Sequence, residues 1–198
     1  MSLIVAVSGS PSSTSRTLLL ARHVIGRLGR AGFDVALINV RDLPSEDLLA
    51  GRADAPAVQR AVALLERADG VVVATPVYKA AYSGTLKVFL DLLPQFALAE
   101  KAVLPLATGG TVAHVLAIDY ALRPVLAALG ARHVLNGLFL LDKQIERTAE
   151  DEALIEEQAE TRLTTLLDEL AVAARFSGAK AGASADPRAE TRLVGASV

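Results

Sequence analysis

A chain of 198 residues gives one domain's worth of sequence, and its 52% apolar and 21% charged content supplies a buried core and excludes bulk disorder. Lys and Arg number 20 against 22 Asp and Glu; the net charge of −2 gives no electrostatic case for nucleic acid or an anionic membrane surface. The absence of Cys removes disulfides, thiolate metal sites, Cys nucleophiles and CxxC redox pairs together, a usage that suits a reducing cytoplasm.

The first predicted strand, residues 3–7, follows Met1-Ser2 with neither the cationic segment nor the cleavage site of a signal peptide; the expectation is a soluble, cytoplasmic protein. A Ser-rich loop leads into a helix over 16–31, with Leu18, Ala21, Ile25 and Leu28 on one face. Strand 33–39 comes next, then a helix over 56–67 behind Asp54-Ala55, strand 70–75, and a helix over 84–93 with Ser83 as its N-cap. Residues 101–107 form a fourth strand. The stretch 102–118 has no Asp, Glu, Lys or Arg, but Pro105 and Thr108-Gly109-Gly110-Thr111 divide it into strand, loop and helix start, which argues against a membrane span. A helix over 112–129 ends at Gly130, and a fifth strand covers 133–141. The last helix is expected over 149–175, opened by Thr148 with Asp151 as its partner in a weak capping box. Glu150, Asp151, Glu152, Glu156 and Glu157 read as a solvated face of that helix. From 177 to 198, 12 of 22 residues are Gly, Ala or Ser, so the expected division is a domain over 1–176 and a flexible tail over 177–198.

Apolar runs without polar alternation belong to strands covered on both faces. Alternating with helices in the order βαβαβαβαβα, they indicate a three-layer α/β domain. The sheet is read as five parallel strands in the flavodoxin-like order 2-1-3-4-5. Ligands of such sheets bind outside the carboxyl ends of the strands, where the order reverses. Three loops lie at that edge.

The first loop, Ser8-Gly9-Ser10-Pro11-Ser12-Ser13-Thr14-Ser15-Arg16-Thr17, lacks both GxGxxG and the P-loop pattern. What remains is a row of hydroxyls, one Arg and the N–H groups of a helix start, a set that suits a phosphate monoester. A Ser-rich turn with helix caps is the plainer alternative. The second loop, Thr75-Pro76-Val77-Tyr78-Lys79-Ala80-Ala81-Tyr82-Ser83-Gly84, sets two Tyr among small residues, a surface suited to a planar heterocycle or simply to core packing. In the third, Thr108-Gly109-Gly110-Thr111, paired glycines admit close approach of the backbone. Together they describe a mononucleotide site, phosphate at the first loop and ring between the other two, for which FMN is the natural occupant. The three His (His23, His114, His133) show no metal-ligand spacing.

Gly9-Ser10-Pro11, Ser15-Arg16-Thr17, the segment from Ala74 to Gly84 and the segment from Val103 to His114 resemble the NADPH-dependent FMN reductase family, in particular the flavin reductase partners of alkanesulfonate monooxygenases. The likeness covers residues 3–142. Lys79 stands where the broader family tends to carry Asn, as in the sulfonate branch. Ser12 stands where the family often has Arg, so phosphate charge rests mainly on Arg16. The resemblance implies hydride transfer from NADPH or NADH to FMN, and release of reduced FMN to a flavin-dependent monooxygenase of sulfonate or organosulfur metabolism. It implies Ser10, Ser15, Arg16 and Thr17 for the phosphate, Pro76, Val77, Tyr78 and Lys79 for the ring, and Thr108, Gly109, Gly110 and Thr111 along its other edge. No side-chain acid, base or metal is required. A homo-oligomer, a tetramer or a dimer, is expected.

Pro124 falls inside the 112–129 helix, where its ring would clash with the carbonyl of Tyr120. The helix must kink, restart or widen there; our reading is a π-bulge around Tyr120, packed at a subunit interface near the flavin. Rival functions are a quinone, azo or metal-ion reductase with bound FMN, a flavodoxin-type electron carrier, and a nucleotide-binding regulatory module.

Overall fold

The computed structural model describes residues 2–184, with side chains as far as Ser177. Its centre is a run of strands so apolar that nearly every residue is buried: β1 (Leu3–Ser8), β3 (Gly70–Tyr78) and β5 (Ala102–Gly109). Side chains alternate across the sheet, so Ile4, Ala6, Val72 and Leu104 enter one core while Val5, Val7, Val71, Val73 and Val103 enter the other. The first core is closed by α1 (Arg16–Arg30) and α6 (Glu157–Ser184). The second is closed by α3 (Pro56–Glu66), α4 (Gly84–Leu90) and α5 (Arg123–Ala128), with the short α2 (Ser45–Leu49) at its rim.

The edge strand β2 (Asp34–Asn39) pairs with β1, and the order β2-β1-β3-β5-β6 is parallel throughout, the flavodoxin-like arrangement. The sheet has seven strands rather than five. The fifth position is shared by β6 (His133–Val134) and β7 (Leu138–Leu141), both parallel to β5. Gly137, between the two strands, leaves no room for a side chain: a Cβ there would meet Ile118 Cγ2 at 2.7 Å and the Pro105 carbonyl at 3.1 Å. The seventh strand, β4 (Ala81–Tyr82), turns back antiparallel on β3.

Two helices differ from expectation. Residues 149–175 are not one helix. Thr148 opens a reverse turn, donating its N–H to the Glu152 carbonyl and accepting from Asp151 N–H, with Asp151 at φ +63°. This turn joins an antiparallel hairpin, β8 (Ile145–Arg147) and β9 (Ala153–Ile155), and α6 starts only at Glu157. Ile145 and Ile155 drop into the first core, while Asp151 pairs with Arg22 and Arg147. The acidic residues before Glu157 therefore belong to the hairpin, not to a helical face. The helix α6 continues to Ser184, so the first part of the segment 177–198 is helical; residues 185–198, the rest of the expected tail, lie outside the described residues.

The segment 112–129 is likewise not one α-helix. A 3-10 turn (Val112–His114) is followed by a π-helix (Ile118–Leu122) and then α5. The Arg123 N–H bonds to the Ile118 carbonyl five residues back, which widens the turn ahead of Pro124. Among the described residues no helix is long and apolar enough to cross a membrane, and no cluster of His, Cys, Asp or Glu could hold a metal ion.

Candidate functional site

Parallel pairing brings the carboxyl ends of β1, β3 and β5 side by side, and the turns that leave them are bonded to one another. The Gly9 N–H donates to the Ala74 carbonyl at 2.9 Å, and the Ser83 hydroxyl donates to the Gly9 carbonyl. Ser83 Oγ also caps α4 by accepting from Leu86 N–H at 3.0 Å, so one side chain holds the first turn against the helix that follows the second. Gly9 is required there, because a Cβ would lie 2.4 Å from Leu86 Cβ. The buried hydroxyls of Thr17 and Thr108 meet at 2.7 Å and tie the first turn to the third.

The first turn has the electrostatics of an anion site. The initial turn of α1 carries no acidic residue and has Arg16 at its start, the reverse of what a helix dipole favours, while Arg27 and Arg30 sit conventionally in its last turn. Within its own first turn the positive end of α1 thus meets no acidic side chain. Ser15 Oγ caps the helix by accepting from Leu18 N–H at 3.0 Å, and the buried Ser10 Oγ accepts from Ser12 N–H. Ser15 and Thr17 each use one of a hydroxyl's three hydrogen-bonding functions in these contacts and retain two. Arg16 donates through Nε to the Ile145 carbonyl at 3.2 Å, so the β8–β9 hairpin holds its stem and the terminal guanidinium nitrogens extend from there. Ser8 Oγ, at the head of the turn, is buried with no hydrogen-bond partner, an orphan of the kind that a bound polar group satisfies.

The second turn is tighter than the sequence suggests. Tyr78 pairs with Ala81 across a two-residue hairpin turn whose centre, Lys79 and Ala80, has φ +50° and φ +62°. Two successive non-glycine residues in the left-handed region cost about 1–2 kcal/mol each. This places Tyr78 and Lys79 exposed at the tip, with Val77 buried beneath them against Ala107, Ala117, Ile118 and Phe139. Pro76 stays in the sheet, in register with Thr108. Tyr82 is half-buried, and burial raises its hydroxyl pKa above the ordinary value of 10.0.

In the third turn Gly109 is buried and a Cβ there would press to 2.9 Å from Phe139 Cζ, whereas Gly110 and Thr111 are exposed. Tyr120 stands in the π-helix, strongly exposed, and continues an exposed apolar stretch with Val112, Val115 and Leu116. The predicted residues therefore fall on three joined turns, with Tyr120 on the flanking π-helix. The sequence reading missed Ser83 as the clamp on Gly9 and Ile145 as the brace on Arg16. The first is visible only as an N-cap, and the second lies 129 residues along the chain.

The start of α1, with its hydroxyls and Arg16, has the chemistry to receive a phosphate, and Tyr78 and Gly110 are both exposed on the neighbouring turns. The fold is flavodoxin-like, with its candidate site at the carboxyl edge of the sheet where such folds bind ligands. The sequence matches the family described as NADPH-dependent FMN reductase over residues 2–146, and the chain belongs to that family. It is 52% identical over 143 residues to FMN reductase (NADPH) of Pseudomonas putida strain KT2440, covering 72% of this chain and 73% of that protein. It is 51% identical over 142 residues to FMN reductase (NADPH) of Escherichia coli K12, covering 72% of this chain and 74% of that protein. Among solved structures, the apo form of an NADH:FMN oxidoreductase (EMOB) superimposes with a TM-score of 0.79 at 44% identity, covering 87% of this chain and 89% of that one.

Proposed function

We propose that this NAD(P)H:FMN oxidoreductase treats FMN as a dissociating substrate and delivers reduced FMN to a flavin-dependent monooxygenase of sulfonate or organosulfur metabolism. The observation that carries the reading is the set of bonds Gly9–Ala74, Gly9–Ser83 and Thr17–Thr108, which makes one site of three turns at an open sheet edge. Ser10, Ser15, Arg16 and Thr17 hold the phosphate; Pro76, Val77, Tyr78 and Lys79 line one side of the ring, and Thr108, Gly109, Gly110 and Thr111 the other. The flavin supplies the hydride-accepting chemistry, and the protein supplies binding and orientation. The exposure of Tyr78, Lys79, Gly110 and Thr111 supports exchange of the flavin with solvent. The exposed Val112, Val115, Leu116 and Tyr120 are the face on which copies of the chain meet in a homo-oligomer, a tetramer in this proposal.

The test is NADPH oxidation with FMN, FAD and riboflavin compared side by side, followed by dialysis of the FMN-loaded protein. FMN is expected to be the preferred acceptor and to be lost on dialysis. Protein that stays yellow, or quinone turnover far above FMN turnover, contradicts the proposal.

A further inference from the structure

Hydride transfer would bring the nicotinamide against the flavin, and the adenosine half of a bound dinucleotide would then lie on the surface around the three turns. One cavity at this end shares a wall with the first turn. It measures about 290 Å³ and lies between Pro11, the segment after β2 and the start of α4. Its walls are apolar, from Val40, Leu43, Leu48 and Val88, and Arg41 stands at the rim. A second cavity near the end of β2, lined by Asn39 and Arg60, shares no residue with any of the three turns.

We propose that the groove beside Pro11 receives the adenosine of the reduced dinucleotide and that Arg41 reads the 2′-phosphate that distinguishes NADPH from NADH. Small-molecule sites are mostly apolar with few, well-placed polar groups, and this groove has that make-up. Arg41 is exposed, enters no ion pair among the described residues, and is the one cationic side chain among the residues that line this groove. An unpaired guanidinium fork matches a phosphate monoester bidentately. Gly84 borders the groove with nothing within 4 Å of its would-be Cβ, so the space is open and a side chain there would enter it. The inference rests on the flavin reductase reading of the neighbouring turns, and its test separates the two.

Calorimetry with 2′,5′-ADP and 5′-AMP, which differ only by the 2′-phosphate, reports the groove without turnover, and steady-state kinetics with NADPH and NADH at saturating FMN report it in the enzyme. Wild-type protein is expected to bind 2′,5′-ADP more tightly than 5′-AMP by about tenfold or more, and Arg41→Ala to abolish the difference. In kinetics Arg41→Ala raises KM for NADPH by a similar factor, leaving kcat and KM for NADH close to wild type. Gly84→Leu raises KM for both dinucleotides. An unaltered NADPH-to-NADH ratio in Arg41→Ala, or unaltered KM values in Gly84→Leu, overturns the proposal. Loss of FMN affinity in Arg41→Ala also overturns it by assigning Arg41 to the flavin. Wild-type protein that oxidises neither dinucleotide with FMN would instead strike the underlying reading, and the groove assignment falls with it.

Discussion

Gly9 carries no side chain because none fits: the Leu86 Cβ would stand 2.4 Å away. Gly9→Ala must therefore push the first turn off α4, at a cost of about 1–3 kcal/mol for overpacking, and should lower the thermal midpoint and FMN affinity together. Thr17→Val is a milder probe. It leaves the buried Thr108 hydroxyl without its partner, a loss of about 1–3 kcal/mol that chemical denaturation would register with the fold intact. At this scale the sequence located the three turns, because hydroxyls, Arg and Gly cluster at the ends of buried strands, although Ser10 and Ser15 also serve the turn and the helix cap. Ser83 shows the limit. Its position marks a cap, but its bond to Gly9 depends on a turn 74 residues earlier.

The helices and hairpins were legible where the local signal had one meaning. Pro124 forbids an ordinary α-turn over Tyr120, and Ile118–Leu122 is π-helical. The Lys79-Ala80 turn gave no such signal, since tight hairpins advertise themselves by Asn-Gly or Asp-Gly and this one strains two ordinary residues instead. Ala80→Gly should relieve that strain and stabilise the fold by about 1 kcal/mol, seen as a higher thermal midpoint. An unchanged or lower midpoint would show that the turn is not strained. The Thr148–Asp151 pattern reads as a helix cap, and it opens a reverse turn instead. Burial of Ile145 and Ile155 decided for the turn, a tertiary effect that no local pattern contains.

Over the whole molecule the parallel pairing followed from crossovers long enough for it and the order reads as flavodoxin-like, while the split of the fifth strand into β6 and β7 left no mark in the sequence. Lys101 illustrates a global balance. Burial holds its ammonium below the ordinary lysine pKa of 10.5, while Nζ donates to the Glu66 and Ala68 carbonyls. Between the lowered value and 10.5 the unfolded chain binds more protons than the folded one, so this residue's contribution makes stability rise with pH across that window. Lys101→Met should remove that rise in denaturation midpoints measured against pH. On the outer surface, Tyr120→Asp places a charge in the exposed apolar stretch and should shift sedimentation toward smaller species. An unchanged sedimentation coefficient would remove this face from any assembly.

The joint site is tested most directly by fluorescence titration of FMN and riboflavin into wild-type protein and Arg16→Ala. Wild type should bind FMN more tightly than riboflavin, and the substitution should cut that preference by about tenfold or more while leaving riboflavin affinity in place. Equal binding of the two flavins by wild type, or a preference untouched by the loss of Arg16, would contradict a phosphate held at the start of α1.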